Sequence, residues 1–195
     1  RPAHDLSETD KTQRDRHLAQ ARAAREKQAV QVRSDARRRA ADLWAKSAET
    51  VSAAHPYLVR KQIPAIGIRQ LGSALVIPIL DGNGGLHSLQ FIGADGRKTF
   101  LTGGAIAGNA CPIGDFSDPE TILACEGYAT GASLHGASGL PVMVTFNAGN
   151  LKSVAASLRL RYPQATLVIG GDDDRWTDGN PGRRKATEAA SAVNG

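Results

Sequence analysis

Cysteine is nearly absent from the chain. Cys111 and Cys125 are the only two, and no CxxC spacing occurs. A zinc ribbon or finger is therefore excluded within these residues. Their separation leaves a disulfide open, but in a chain read as cytoplasmic both are expected as thiols, with Cys125 a small hydrophobe in a buried strand. Long apolar runs are missing too: none approaches the roughly 20 residues that cross a bilayer, so no membrane partner is expected. The opening "RPAHDLSETDKTQRDR" has no apolar centre, which argues against a secretory signal, and it starts on Arg1 instead of Met, as a piece of a longer protein would. The glycine-rich "DGNGG" lacks the Lys-Ser/Thr of a phosphate-binding P-loop. No internal repeat or low-complexity tract stands out.

What the chain does have is 195 residues with 41% apolar content, enough for one or two domains with a real core. Its net charge of +5 is unevenly spread: residues 1–61 carry 14 basic and 8 acidic groups, while the remainder carries 10 basic and 11 acidic. A basic N-terminal part beside a nearly neutral part with clustered acids points to a polyanion partner and a nearby metal. A solvated helix surface is the competing explanation.

Residues 1–17 are polar and expected to fray. From His17 to Ala54 the chain is rich in Ala, Arg, Glu and Gln, which predicts a long helix, with Leu43, Trp44, Ala48 and Val51 as an apolar stripe. Arg33, Arg37, Arg38 and Arg39 cluster before that stripe, and His55-Pro56 should stop the helix. "HPYLVRKQIP" opens a short second helix or turn. Strand-like runs at 75–80, 86–92 and 98–101 are broken by "DGNGG" and "GADGR", which reads as an antiparallel meander. From Asp118 the rhythm changes to alternation: strand 121–125, helix 130–137, strand "PVMVTF", helix 151–161, strand "ATLVIGG", helix 181–193. Such alternation predicts a parallel sheet flanked by helices.

The acids fall at strand ends. Glu126 follows the run Ile122-Leu123-Ala124-Cys125 and precedes Gly127; it either sits on a ligand-binding sheet edge or caps the next helix. "GDDDRWTDGNPG" places three consecutive carboxylates after another strand. Continued strand geometry would point Asp172 and Asp174 one way and Asp173 the other, so a hard cation would find two converging oxygens; a solvated acidic loop is the alternative. Asn180 and Pro181 supply a cap and a first helical residue. Gathered on one edge, Glu126, Asp172 and Asp174 suit metal-assisted phosphoryl transfer. Of the other candidates, His135 and His87 lack catalytic partners in the sequence, and His55 and Tyr57 read as capping and packing groups. Arg60 and Lys61 read as phosphate contacts, and Trp176 as packing its own loop, with stacking of a base as the alternative.

Glu126-Gly127 after one strand and DxD after a later one resemble the Toprim domain of primases, topoisomerases and related nucleases. "EGYATG", Glu126 to Gly131, followed by "DDD…NPG", is similar to the primases of conjugative plasmids and satellite-phage α proteins. "LVIPILDGNGGLHSLQFIGADGRKTFLTG" and "HPYLVRKQI" resemble segments upstream of the Toprim domain in bacterial replicative primases, so the likeness covers about residues 50–195. The resemblance implies a basic helical segment at 1–54, a mixed α/β primase subdomain with the meander at 55–117, and a Toprim-type parallel sheet at 118–195. It implies a DNA primase core that synthesises short RNA primers on single-stranded DNA from ribonucleoside triphosphates during plasmid or mobile-element replication and transfer, alongside a helicase or relaxase. Glu126 and Lys98 would be catalytic, Asp172, Asp174 and Glu126 would hold Mg²⁺ or Mn²⁺, and Arg37, Arg38, Arg39, Arg60 and Lys61 would contact nucleic acid. A metal-dependent Toprim nuclease and a non-catalytic recruiting module are the alternatives. Thr130 stands where many Toprim domains carry an Asp, no upstream zinc module is present, and the sequence stops at "SAVNG" where a further strand is expected.

Overall fold

The computed structural model describes residues 8–195. Helix α1 (Glu8–Lys46) is followed by α2 (Pro56–Lys61), then by strands β1 (Arg69–Leu71), β2 (Ala74–Leu80), β3 (Leu86–Ile92) and β4 (Lys98–Phe100). Next come β5 (Cys111–Ile113), β6 (Thr121–Cys125), α3 (Tyr128–Ser138), β7 (Val142–Val144), α4 (Ala148–Arg161), β8 (Thr166–Ile169) and α5 (Pro181–Val193). Two four-stranded sheets result, ordered β1-β2-β3-β4 and β5-β7-β6-β8. The first is the expected antiparallel meander. In the second, β6 pairs in parallel with both β7 and β8, and β5 joins antiparallel to β7.

The N-terminal helix departs from expectation at both ends. It is already helical over residues 8–17, where fraying was expected; residues 1–7 lie outside the described residues. It stops at Lys46, well short of Ala54, because the Ala48 backbone leaves the helix to exchange two hydrogen bonds with Gln70, at 2.8 and 3.0 Å. Ala48 and Val51 therefore do not extend a helical stripe. His55-Pro56 starts α2 instead of ending α1: the His55 ring accepts from the Tyr57 N–H at 3.2 Å, and Pro56 fills the first turn, where its missing N–H costs nothing. Strands β1 and β5 are three residues each and gave no periodic signal.

The meander has two buried faces. Ala40, Val76 and Leu89 form a small core under α1, with Leu43, Trp44 and Phe91 around it. The opposite face packs Leu75, Ile77 and Ile92 into one cluster with Cys111, Ile113, Cys125, Tyr128, Val142 and Val144 of the second sheet. Tyr128 also locks the two parts by hydrogen bonds: its hydroxyl accepts from the Ile66 N–H at 2.8 Å and donates to the Ile66 carbonyl at 3.0 Å. Helices α4 and α5 cover the other face of the second sheet through Val154, Ala155, Leu158 and Val193 over Ile122 and Leu167. Cys111 and Cys125 flank Val144 on neighbouring strands, two strand spacings or about 9.6 Å apart, so they stay free thiols. Burial pushes both up to about 12, which keeps them protonated.

Candidate active site

Parallel pairing brings the acids together. Ala124 of β6 faces Ile169 of β8, and the Gly170 N–H extends the ladder to the Ala124 carbonyl at 2.8 Å. Glu126 leaves one strand and Asp172 the next, on the same carboxyl edge of the sheet, where open α/β sheets bind ligands. On the other side of β6, the Thr145 N–H bonds the Cys125 carbonyl at 2.8 Å and carries the chain into Phe146, whose φ of 71° is a strained left-handed conformation. That turn delivers the N-terminus of α4 to the site, with Asn147 capping it from its side chain to the Asn150 N–H.

Glu126 sits in the angle between these elements. Its Oε1 atom is buried and has no hydrogen-bond partner. Burial foremost, then the negative charge of Asp172, holds its carboxyl above the ordinary glutamate range; Asp174 adds to the rise, while the backbone N–H groups of Asp172 and Ala148 oppose it. The Asp172 carboxylate makes no hydrogen bond or ion pair among the described residues. Asp173 points elsewhere, paired with Arg175 and accepting from the Asn180 side chain at 2.9 Å. Asp174 accepts from the Gly182 N–H at 3.0 Å, fixing the start of α5, while Asn180 accepts from the Asp174 N–H at 3.1 Å. Gly182 is required there, because a side chain would run into the Asp172 carbonyl.

The second glycine of "EGYATG" has a packing reason. A Cβ on Gly131 would stand 2.6 Å from Val144, so glycine lets α3 lie close on β7 and aim its first turn at the site. Lys98, at the start of β4, brings its Nζ within 3.9 Å of where a Gly127 Cβ would be, at the residue that follows Glu126, and makes no ion pair with Glu126 among the described residues. The meander thus contributes a cation to the edge where the second sheet contributes carboxylates. Arg60 lies over the adjacent β3–β4 turn, donating to the Ala94 carbonyl at 3.3 Å with its guanidinium over the Tyr57 ring; Lys61 follows it, exposed.

The structure does not bring the three helix arginines to this edge. Arg38 is paired with Asp35, Arg39 donates to the Thr102 carbonyl at 2.7 Å, and Arg37 lies over the β2–β3 turn beside Asp81 and Gly85. Trp176 does not pack its loop as expected, being 94% exposed. His135 donates to the Leu140 carbonyl at 2.7 Å, and His87 has an acid partner that sequence reading missed, Asp81 at 2.8 Å across the hairpin. Asn150 was missed as well. It is buried, its Oδ1 accepts from the Gly108 N–H at 2.7 Å, and its amide donates to the carbonyls of Ile106, Asn109 and Thr145. Two asparagines three apart after a strand, in "TFNAGN", are the cap signal that would have located it.

Among the described residues, no three His, Cys, Asp or Glu side chains stand close enough to form a ready-made metal site. The donor set nevertheless fits a hard divalent cation. The orphaned Glu126 oxygen lacks a positive partner, Asp172 is free, and the mutual repulsion of Glu126, Asp172 and Asp174 is the kind a cation relieves.

Residues 121–195 match the family model described as the Toprim domain. The family resemblance carried by "EGYATG" and the aspartate run therefore holds. In particular, the chain is similar to a DNA primase TraC of Escherichia coli, 37% identical over 150 residues that make up 72% of this chain and 10% of that protein. A second DNA primase TraC of Escherichia coli is 39% identical over 134 residues, 65% of this chain and 12% of its own. The chain spans about a tenth of the length of these relatives. Among solved structures, the primase fragment of the bacteriophage T7 primase-helicase protein aligns with a TM-score of 0.48 at 18% identity, covering 65% of this chain and 53% of that one.

Proposed function

We propose that the chain is the catalytic core of a DNA primase: a metal-dependent nucleotidyltransferase that joins ribonucleotides on a single-stranded DNA template. The observation that carries this reading is the buried, unpartnered Glu126 oxygen at a sheet edge shared with Asp172 and Asp174, with Lys98 alongside. Glu126, Asp172 and Asp174 would hold Mg²⁺ or Mn²⁺, which when bound neutralises phosphate charge and polarises the reacting phosphoryl group. The protein's own groups do the rest. Glu126, with its raised proton affinity, takes the proton from the 3′-hydroxyl that attacks the α-phosphorus of the incoming triphosphate as pyrophosphate leaves. The Lys98 ammonium faces the triphosphate, and Arg60 and Lys61 hold phosphates of the nucleic acid where it passes the β3–β4 turn. The strained Phe146 turn and the Asn150 clamp keep the α4 N-terminus against Glu126. We further propose that segments 1–54, 55–117 and 118–195 are the topological units of the chain, that it works in the cytoplasm on plasmid or mobile-element DNA, and that a helicase or relaxase acts beside it.

The test is incubation with single-stranded DNA, labelled ribonucleoside triphosphates and Mg²⁺ or Mn²⁺. Template-dependent short RNA products with the template left intact support the reading. Cutting of the DNA without triphosphates would replace it with a nuclease.

A further inference from the structure

Helix α1 divides into two parts. Its last turns dock on the meander through Ala36, Ala40, Leu43 and Trp44. From Thr12 to Ser34 every residue except the half-buried Ala29 is exposed. These 23 residues extend about 35 Å at 1.5 Å per residue. The segment is Ala-rich with Arg, Gln and Glu, strong helix formers, so it holds its shape with little packing. Its exposed large apolar side chains, Leu18, Val30 and Val32, are too few to form the continuous stripe that a partner helix needs.

Its charge is equally one-sided. Residues 12–34 carry six cationic side chains against Asp15 and Glu26. Arg14 is spent beside Asp15 at 3.5 Å. Arg16, Arg22, Arg25, Lys27 and Arg33 make no hydrogen bond or ion pair among the described residues. This contrasts with Arg38 and Arg39 further along the same helix, which are held by Asp35 and the Thr102 carbonyl. Most of the unpaired cations of α1 therefore lie on the projecting arm, whereas two of the Arg37–Arg39 trio that sequence clustering singled out are held by partners.

We infer that this arm is an interaction surface for the phosphate backbone of single-stranded nucleic acid. At 100° per residue, Arg22, Arg25 and Arg33 share one side of the helix while Arg16 and Lys27 lie on the other. A stiff duplex laid along a straight helix meets one of these sides. A flexible single strand can pass from one to the other and neutralise both. The arm carries no Phe, Tyr or Trp on which a base could stack, and His17 is its one ring, so its grip is mainly on phosphates and not on sequence. It stands apart from the carboxylate edge, so it adds to the hold on the template without entering the chemistry.

The experiment is fluorescence anisotropy of labelled oligothymidylate titrated with the intact chain, without triphosphates or divalent metal, across a series of salt concentrations. The arm variant replaces Arg16, Arg22, Arg25, Lys27 and Arg33 by Gln, which keeps helix propensity; circular dichroism checks that the helix survives. A control variant carries Arg38→Gln and Arg39→Gln. Each lost phosphate contact removes about 0.7 from the salt slope and about fivefold in affinity at 0.1 M salt, so the arm variant is expected to bind at least about tenfold more weakly with a flatter slope. The control should match the wild type. Unchanged affinity and slope in the arm variant, or an equal loss in the control, would overturn the inference. So would a loss confined to double-stranded probes of the same length, which would make the partner a duplex. Because the readout is binding without catalysis, a failure to synthesise primers leaves this result standing, and the reverse is also true.

Discussion

Glu126 occupies a place that costs folding stability. Its folded-state proton affinity is raised, so the folded chain binds more protons than the unfolded one between the ordinary glutamate value of 4.5 and the raised value, and stability falls as pH climbs through that window. Glu126→Gln removes the penalty. It should raise the melting temperature at pH 7 relative to wild type and leave it unchanged near pH 4, a difference that scanning calorimetry at the two pH values would show. If Glu126 serves as the proton acceptor, the rate should rise with pH as its carboxyl ionises. The aspartates divide by their partners. Asp172→Asn and Asp174→Asn should weaken Mn²⁺ binding by at least about tenfold, because each removes an oxygen anion beside Glu126. Asp173→Asn should change it little, since that carboxylate belongs to Arg175 and Asn180; equal losses for all three in calorimetric titration would reject the division. That the aspartate run follows a buried strand was readable from sequence, although β8 ends at Ile169 and strand geometry does not continue through the acids. The orphaned Glu126 oxygen was not, because it depends on how closely α4 and the aspartate loop close over it.

At the scale of elements, the site is made by turns more than by strands. Strands β6 and β8 announce themselves as apolar runs, and Pro181–Val193 is announced by its Asn-Pro start. The elements that close the site gave weaker signals: β1 and β5 are too short for periodicity, and the end of α1 is decided by pairing with a distant strand. Asn150 shows the same kind of long-range dependence. It ties residues 106–109 to the β7–α4 turn, so its neighbours lie far away in sequence. Asn150→Ala strands several buried backbone groups and should destabilise the fold by about 3 kcal/mol. It should also lower activity at temperatures where the protein is still folded, because the Ala148 N–H loses its fixed place against Glu126. Urea denaturation followed by activity at matched folded fraction separates the two effects.

For the whole molecule, the core that joins the two sheets decides how the chain behaves. Leu75, Ile77 and Ile92 share one cluster with Cys125, Tyr128 and Val144, and β5, from residues 111–113, is laid into the second sheet. Proposed boundaries near residues 54 and 117 therefore mark topology, while unfolding should be a single cooperative transition from the docked part of α1 onward. Tyr128→Phe removes both hydrogen bonds to Ile66 and should cost about 1–2 kcal/mol while keeping one transition; two resolved transitions in wild-type calorimetry would contradict the shared core. Sequence reading separated meander from alternating half correctly, since each has its own period. It could not see that their inner faces meet, because an apolar strand face does not name its partner. The same closure brings the Lys98 ammonium from one half to Gly127, the residue after Glu126, in the other.

The proposed chemistry depends on that meeting of a cation from the meander with carboxylates from the parallel sheet, and one comparison of variants probes it. Template-dependent incorporation of ribonucleotides would be measured for wild type, Glu126→Gln and Lys98→Ala, with single-strand affinity determined on the same samples. Glu126→Gln should lower incorporation by about 10²–10⁴-fold. Lys98→Ala should lower it less, and Glu126→Gln should bind within about twofold of wild type, because the cations that grip phosphate are untouched. Undiminished primer synthesis by Glu126→Gln, or an equal fall in binding and synthesis, would contradict that chemistry.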